Sequence, residues 1–115
     1  SKANILIVET DAGLRATLAQ HIRQHGMEVS EADCAAEVGQ RLSASDHQLV
    51  LVGLEGLKRE GLSIIRLIRD HFPEIKIITL NTHEQLDLSF EGMRLGAYDD
   101  FLIPFNIDNL ILCIG

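Results

Sequence analysis

Hydrophobic positions along this chain follow two alternating rhythms. Asn4 to Val8 and Leu49 to Val52 are short runs that are apolar at almost every position, as strands buried on both faces of a parallel sheet require. After the first run, Leu14, Leu18 and Ile22 recur at helical spacing and predict a helix closing near Gly26. Met27 to Ala32 is short and partly alternating, a strand nearer a sheet edge, and Ala35, Val38 and Leu42 predict a short helix after it. The central run leads through Leu54 to Glu60 into a helix carrying Leu62, Ile65 and Ile68, which ends before Pro73. Ile75 to Leu80 reads as a fourth strand and Tyr98 to Ile103 as a fifth. Between these two strands, Leu86, Phe90, Met93 and Ala97 are expected to form the inward stripe of a helix ended by Gly96, and Ile107, Leu110, Ile111 and Ile114 mark the last helix.

Strands alternating with helices predict an α/β domain with a parallel sheet covered on both faces, because parallel strands need crossovers and crossovers are right-handed. At 115 residues with 46% hydrophobic and 23% charged composition, the chain is expected to be one domain with a real core. A formal charge of -7 argues against direct nucleic-acid contact, which normally needs a basic patch. No stretch approaches the roughly 20 apolar residues of a membrane span, and none reads as a signal peptide, so a cytoplasmic setting without membrane contact is expected. Cys34 and Cys113 lack metal-ligand spacing and predict buried or half-buried thiols. The apolar run that stops at Gly115 gives the expectation of a domain cut from a longer protein.

The order of landmarks is more specific. Ile5 to Val8 precedes an acidic turn, Leu49 to Val52 is followed eight residues after Gly53 by Gly61-Leu62, and Gly96-Ala97 leads to Pro104-Phe105. Over essentially the whole length this resembles the receiver domain of two-component response regulators, of which the bacterial chemotaxis receiver is the single-domain type. The resemblance implies a doubly wound, five-stranded, flavodoxin-like sheet of order 2-1-3-4-5, with function at the carboxyl ends of the strands.

In that family an aspartate at the end of the third strand takes a phosphoryl group from a histidine kinase, and two acidic residues after the first strand help hold magnesium. Here the resemblance places Gly53 at the phosphoacceptor position, and Glu9 and Thr10 at the acidic pair. Asn81 stands where the family has a threonine or serine, and Ile103 where it has a lysine. Pro104 is retained, and the Ile103-Pro104 bond is a candidate cis peptide. The fifth strand aligns in two ways: without gaps Asp100 takes the place of the family's switch aromatic, and with a one-residue slip Phe101 does. Glycine offers no nucleophile, so aspartyl phosphorylation is not expected; no cofactor is expected, and neither is magnesium or another metal, because the pocket has lost carboxylates.

Three further groups of residues are candidates for function. His21 and His25 sit one helical turn apart but lack a third ligand, and are expected to be surface residues near a helix C-terminus. Glu55 is expected to be a solvent-facing loop carboxylate, the alternative being that it folds back into the emptied pocket. Leu88 and Leu95 fall off the inward stripe and are expected to face outward, on or near the face that receivers use to dimerise, together with the Asp100-Phe101 strand. The expected function is a degenerate, non-enzymatic receiver that regulates an attached output region or signalling protein by phosphorylation-independent contact or homodimerisation. The alternative is a small-molecule sensor using the vacated pocket.

Overall fold

In the computed structural model, residues 3–81, 86–102 and 107–114 are described. β1 (Asn4–Val8), β2 (Glu28–Ala32), β3 (Leu49–Gly53), β4 (Lys76–Asn81) and β5 (Asp99–Leu102) form one parallel sheet in the order β2-β1-β3-β4-β5. This is the doubly wound, flavodoxin-like order that the resemblance implied. Its helices are α1 (Ala12–Gln24), α2 (Ala35–Ala44), α3 (Leu54–Leu57), α4 (Arg59–His71), α5 (Leu86–Arg94) and α6 (Ile107–Ile114).

The unbroken apolar runs of β1 and β3 are explained by the two cores they serve. Alternate residues leave opposite faces of a strand. Leu6, Val8, Val50 and Val52 accordingly join α2, α4 and α5 in one core, whereas Ile5, Ile7, Leu49 and Leu51 join α1 and α6 in the other. Each strand in the middle of the sheet therefore needs apolar side chains at every position.

α1 begins where a side chain supplies an acceptor: Asp11 Oδ1 takes the Leu14 backbone N–H at 3.0 Å. That bond satisfies one of the four amides that a helix start leaves unpaired. Asp11→Ala is expected to cost about 1 kcal/mol, read as a lowered midpoint in urea with an unchanged slope. The helix closes at Gly26, whose φ of +86° suits glycine.

Two expectations are corrected here. The helix carrying Leu62, Ile65 and Ile68 is α4, but the stretch leading into it from the central run is itself partly helical: α3 precedes α4 and is separated from it at Lys58, a non-glycine residue with φ +55°. More consequentially, α5 is turned relative to its predicted stripe. Leu88 is buried, only 8% exposed, and belongs to the core; Leu95 packs against the same core, while Phe90 is 67% exposed and Met93 is exposed too. The outward strip expected of Leu88 and Leu95 therefore does not exist, and Phe90 and Met93 do not form an inward one. The reason is close packing. A Cβ on Gly92 would already touch Ile65 Cδ1 at 3.4 Å and Thr79 Cγ2 at 3.5 Å, so the small residues Gly92 and Ser89 are buried with Leu88, while Phe90 and Met93 are left outside.

Candidate functional site

The carboxyl ends of β1, β3 and β4 lie side by side, with Val8 beside Val52 and Gly53 beside Leu80. The residues just past these positions form the candidate site. Glu9 follows β1 directly and is 2% exposed, unusually deep for a carboxylate. Its side chain lies over Gly53: a Cβ built on that glycine would collide with Glu9 Oε1 and sit 2.8 Å from Glu9 Cδ. The longer acid on β1 thus fills the space that a side chain on β3 would need.

Thr10 repeats the arrangement one step outward. A Cβ on Gly56, in α3, would collide with Thr10 Oγ1 and lie 3.0 Å from Thr10 Cβ. Gly53 and Gly56 are therefore paired with Glu9 and Thr10, and the β1–α1 loop closes directly on the β3–α3 turn. Glu9 Oε2 accepts the Asp11 backbone N–H at 2.9 Å, and Thr10 Oγ1 approaches it at 3.5 Å. Glu9 Oε1 has no hydrogen-bond partner among the described residues. A buried oxygen in that condition is costly unless something satisfies it.

A second polar group adjoins this one. Asn81 and Thr79 at the end of β4 are fully buried, as nearly is Ser89 on α5. Asn81 Nδ2 donates to Ser89 Oγ at 2.6 Å, Ser89 Oγ donates to Asp100 Oδ2 at 2.7 Å, and Thr79 Oγ1 donates to Asp100 Oδ1. Asp100 lies opposite Thr79 in the β4–β5 register, with Phe101 opposite Leu80. The Asp100 side chain reaches Thr79 and Ser89; the Phe101 side chain lies outside the described residues. The chain of bonds ties the end of β4 to α5 and β5.

Of the residues expected to ring the site, the structure brings Glu9, Thr10 and Gly53 into contact and turns Asn81 toward α5. Ile103 and Pro104, including the candidate cis bond, lie outside the described residues. Glu55 is exposed, so the carboxylate that fills the emptied position is Glu9, not Glu55. The family resemblance places Glu9 at one position of the acidic pair and gives it no part in filling the Gly53 position. What could have revealed its new role is the pairing of two changes, an acid longer by one methylene on β1 and a glycine on β3. Ser89 was missed altogether, because a serine within a helix carries no signal of its own.

The donor set does not fit the magnesium that the family resemblance implies. Asp11 is committed to the cap of α1, Gly53 provides no carboxylate, and Glu9 offers one unengaged oxygen, whereas magnesium seeks near-octahedral oxygen ligation. Away from this site, Asp33, Cys34 and Glu37 cluster at the start of α2, where Glu37 accepts the Asp33 backbone N–H and pairs with Arg41. His25 Nδ1 donates to the His21 carbonyl at 2.9 Å, which engages one of the two histidines with backbone.

Residues 5–114 match the response regulator receiver domain family. The chain belongs to that family. This receiver domain is 26% identical over 113 residues to the DNA-binding transcriptional regulator NtrC of Proteus hauseri, and 25% identical over 116 residues to a putative NtrX-like response regulator of Rickettsia felis. Those matches cover 98% and 99% of this chain but 24% of each relative, so the chain spans about a quarter of the length of these relatives. Among solved structures, it resembles the receiver domain of NtrX from Brucella abortus, with 27% identity, a TM-score of 0.88 and coverage of 96% of this chain and 93% of that one. A response regulator from Thermotoga maritima matches with 25% identity and a TM-score of 0.88 over 99% of this chain and 95% of that one. The chain is thus a receiver domain of two-component signal transduction, and no helix among the described residues is long and apolar enough to cross a membrane.

Proposed function

We propose that this receiver is degenerate: it does not take a phosphoryl group, and it regulates an attached output region, in the cytoplasm, through contacts with partners or with a second copy of itself. The observation that carries this reading is the Glu9 carboxylate seated against Gly53. Phosphoryl transfer to a receiver needs an in-line nucleophile and charge-stabilising groups around the transferring oxygens. At Gly53 there is no nucleophile, and a buried carboxylate stands where the anion would have to develop. Like charges at that range oppose each other strongly in a poorly hydrated pocket.

The domain would then act by population shift. A receiver face with two arrangements of similar energy responds to anything that binds one of them better. The Asn81, Ser89 and Asp100 bonds set the resting arrangement of α5, and a partner that prefers the other arrangement would have to offset them. The length of the relatives supports an attached output region, and the NtrC relative makes a transcriptional output the first to test.

The reading is tested by incubating the protein with magnesium and acetyl phosphate and measuring its intact mass. No phosphoryl addition is expected, alongside complete modification of an active receiver treated in parallel. A gain of one phosphoryl group that survives mutation of surface residues would overturn it. The small-molecule reading gains no observation: the strand-end space is occupied by Glu9, and a cavity of about 490 Å³ lies at the opposite end of the sheet, beside Ile5, Leu49 and Lys76.

A further inference from the structure

Four large apolar side chains stand in solvent among the described residues: Phe90, Met93, Tyr98 and Leu112. Single exposed apolar residues are ordinary and carry nothing by themselves. Tyr98 has a partner, since the Lys76 ammonium lies 4.6 Å from its ring centroid, and Leu112 is on α6, which packs in the opposite core. Phe90 and Met93 share α5, three residues apart, at 67% and 43% exposure.

A helix turns about 100° per residue, so Phe90 points away from Leu88 and Gly92, the buried side of α5, and Met93 lies on one flank of it. The other flank carries charge. Asp87 and Arg94 are seven residues apart, about two turns, and line up along that flank on either side of Phe90. Both are exposed. Asp87 has no ion pair among the described residues. Arg94 Nη1 donates to Glu91 Oε1 at 2.9 Å, which leaves other N–H groups of its guanidinium for a second carboxylate.

We propose that α5 binds α5 of a second copy of this chain, antiparallel, about a two-fold axis that passes beside Phe90. The strip is self-complementary. Along the helix it runs acid, aromatic, base, and an antiparallel copy presents base, aromatic, acid, so each Asp87 faces the Arg94 of the other copy while the two Phe90 rings meet at the centre. The spacing agrees. Asp87 and Arg94 lie about 5 Å on either side of the midpoint between residues 90 and 91, and a two-fold axis there brings each reciprocal pair to one height and one flank. Such a contact uses the same patch on both copies and closes on itself. Either charge alone would suit many partners; the two in this order around an exposed phenylalanine suit a second copy of this helix. The nine residues of α5 offer less than the roughly 800 Å² per partner of a standard interface, so the association is weak. The pairing rests on the proposed action through a second copy, and not on the loss of phosphoryl transfer.

Sedimentation equilibrium from micromolar to millimolar concentration should show a monomer–dimer equilibrium. Phe90→Ser should weaken it about tenfold or more, and so, at low salt, should Asp87→Arg or Arg94→Glu alone. Each single charge variant opposes like charges across the axis. Mixing the two in equal amounts should restore association, because both reciprocal pairs are again of opposite sign in the mixed dimer. The three positions are exposed, and circular dichroism of each variant should match that of the parent. A monomer at every concentration, a dimer indifferent to Phe90→Ser, or a mixture that associates no better than its components would each overturn the pairing. The acetyl phosphate test is independent of this one: a monomer that takes no phosphoryl group refutes the pairing and leaves degeneracy intact, whereas a phosphorylated dimer refutes degeneracy and leaves the pairing.

Discussion

Gly53→Asp is expected to destabilise the domain by about 2–4 kcal/mol, even though it supplies the residue that active receivers carry there. The new side chain meets the Glu9 carboxylate in space that Glu9 already fills. Overpacking of a rigid interior costs about 1–3 kcal/mol by itself, and a second carboxylate beside one whose Oε1 is already unpartnered among the described residues adds repulsion without a compensating cation. Glu9→Ala alone should change stability by less than about 1 kcal/mol, since it removes a poorly satisfied buried carboxylate together with its bond to the Asp11 amide. The double variant should recover most of the loss, giving a coupling energy of about 2 kcal/mol or more between the two positions. Urea denaturation of the four proteins measures this. Additive effects would mean that Glu9 does not occupy the side-chain space of Gly53, and the proposed reason for degeneracy would fail with it.

Asp100→Ala is expected to cost about 2–3 kcal/mol and to loosen α5 selectively. Its two oxygens accept from Thr79 Oγ1 and Ser89 Oγ, both buried, and removing the carboxylate strands both hydroxyls. Asp100→Asn keeps the carbonyl acceptor and should cost less than half as much. Because the bonds run from β4 to α5 and β5, the loss should show in amide hydrogen exchange as faster exchange across Leu86–Arg94, with β1 and β3 little changed. Uniform acceleration throughout the domain would make the network a general contributor to stability and not a latch on α5.

The burial of α5 illustrates where reading residues in order reaches its limit. Leu86, Phe90 and Met93 have helical spacing and large side chains, which by themselves predict an inward stripe. Phe90 and Met93 are instead exposed, and Leu88, Ser89 and Gly92 are buried: a Cβ on Gly92 would already touch Ile65 and Thr79, and Ser89 has partners in Asn81 and Asp100. Hydrophobicity ranks which residues prefer burial. It does not say how near another element comes.

The alternation of strands and helices, the two central strands and the place of Gly53 after the second of them are legible in the residues taken in order, because period and run length are local properties of the chain. Tertiary structure alone decided that Glu9 fills the space beside Gly53, that Thr10 lies against Gly56, and that Asp100 faces Ser89 and Thr79. Each of these depends on distances between elements far apart in sequence. Such distances are set by the packing of the whole sheet against its helices, and no single segment encodes them.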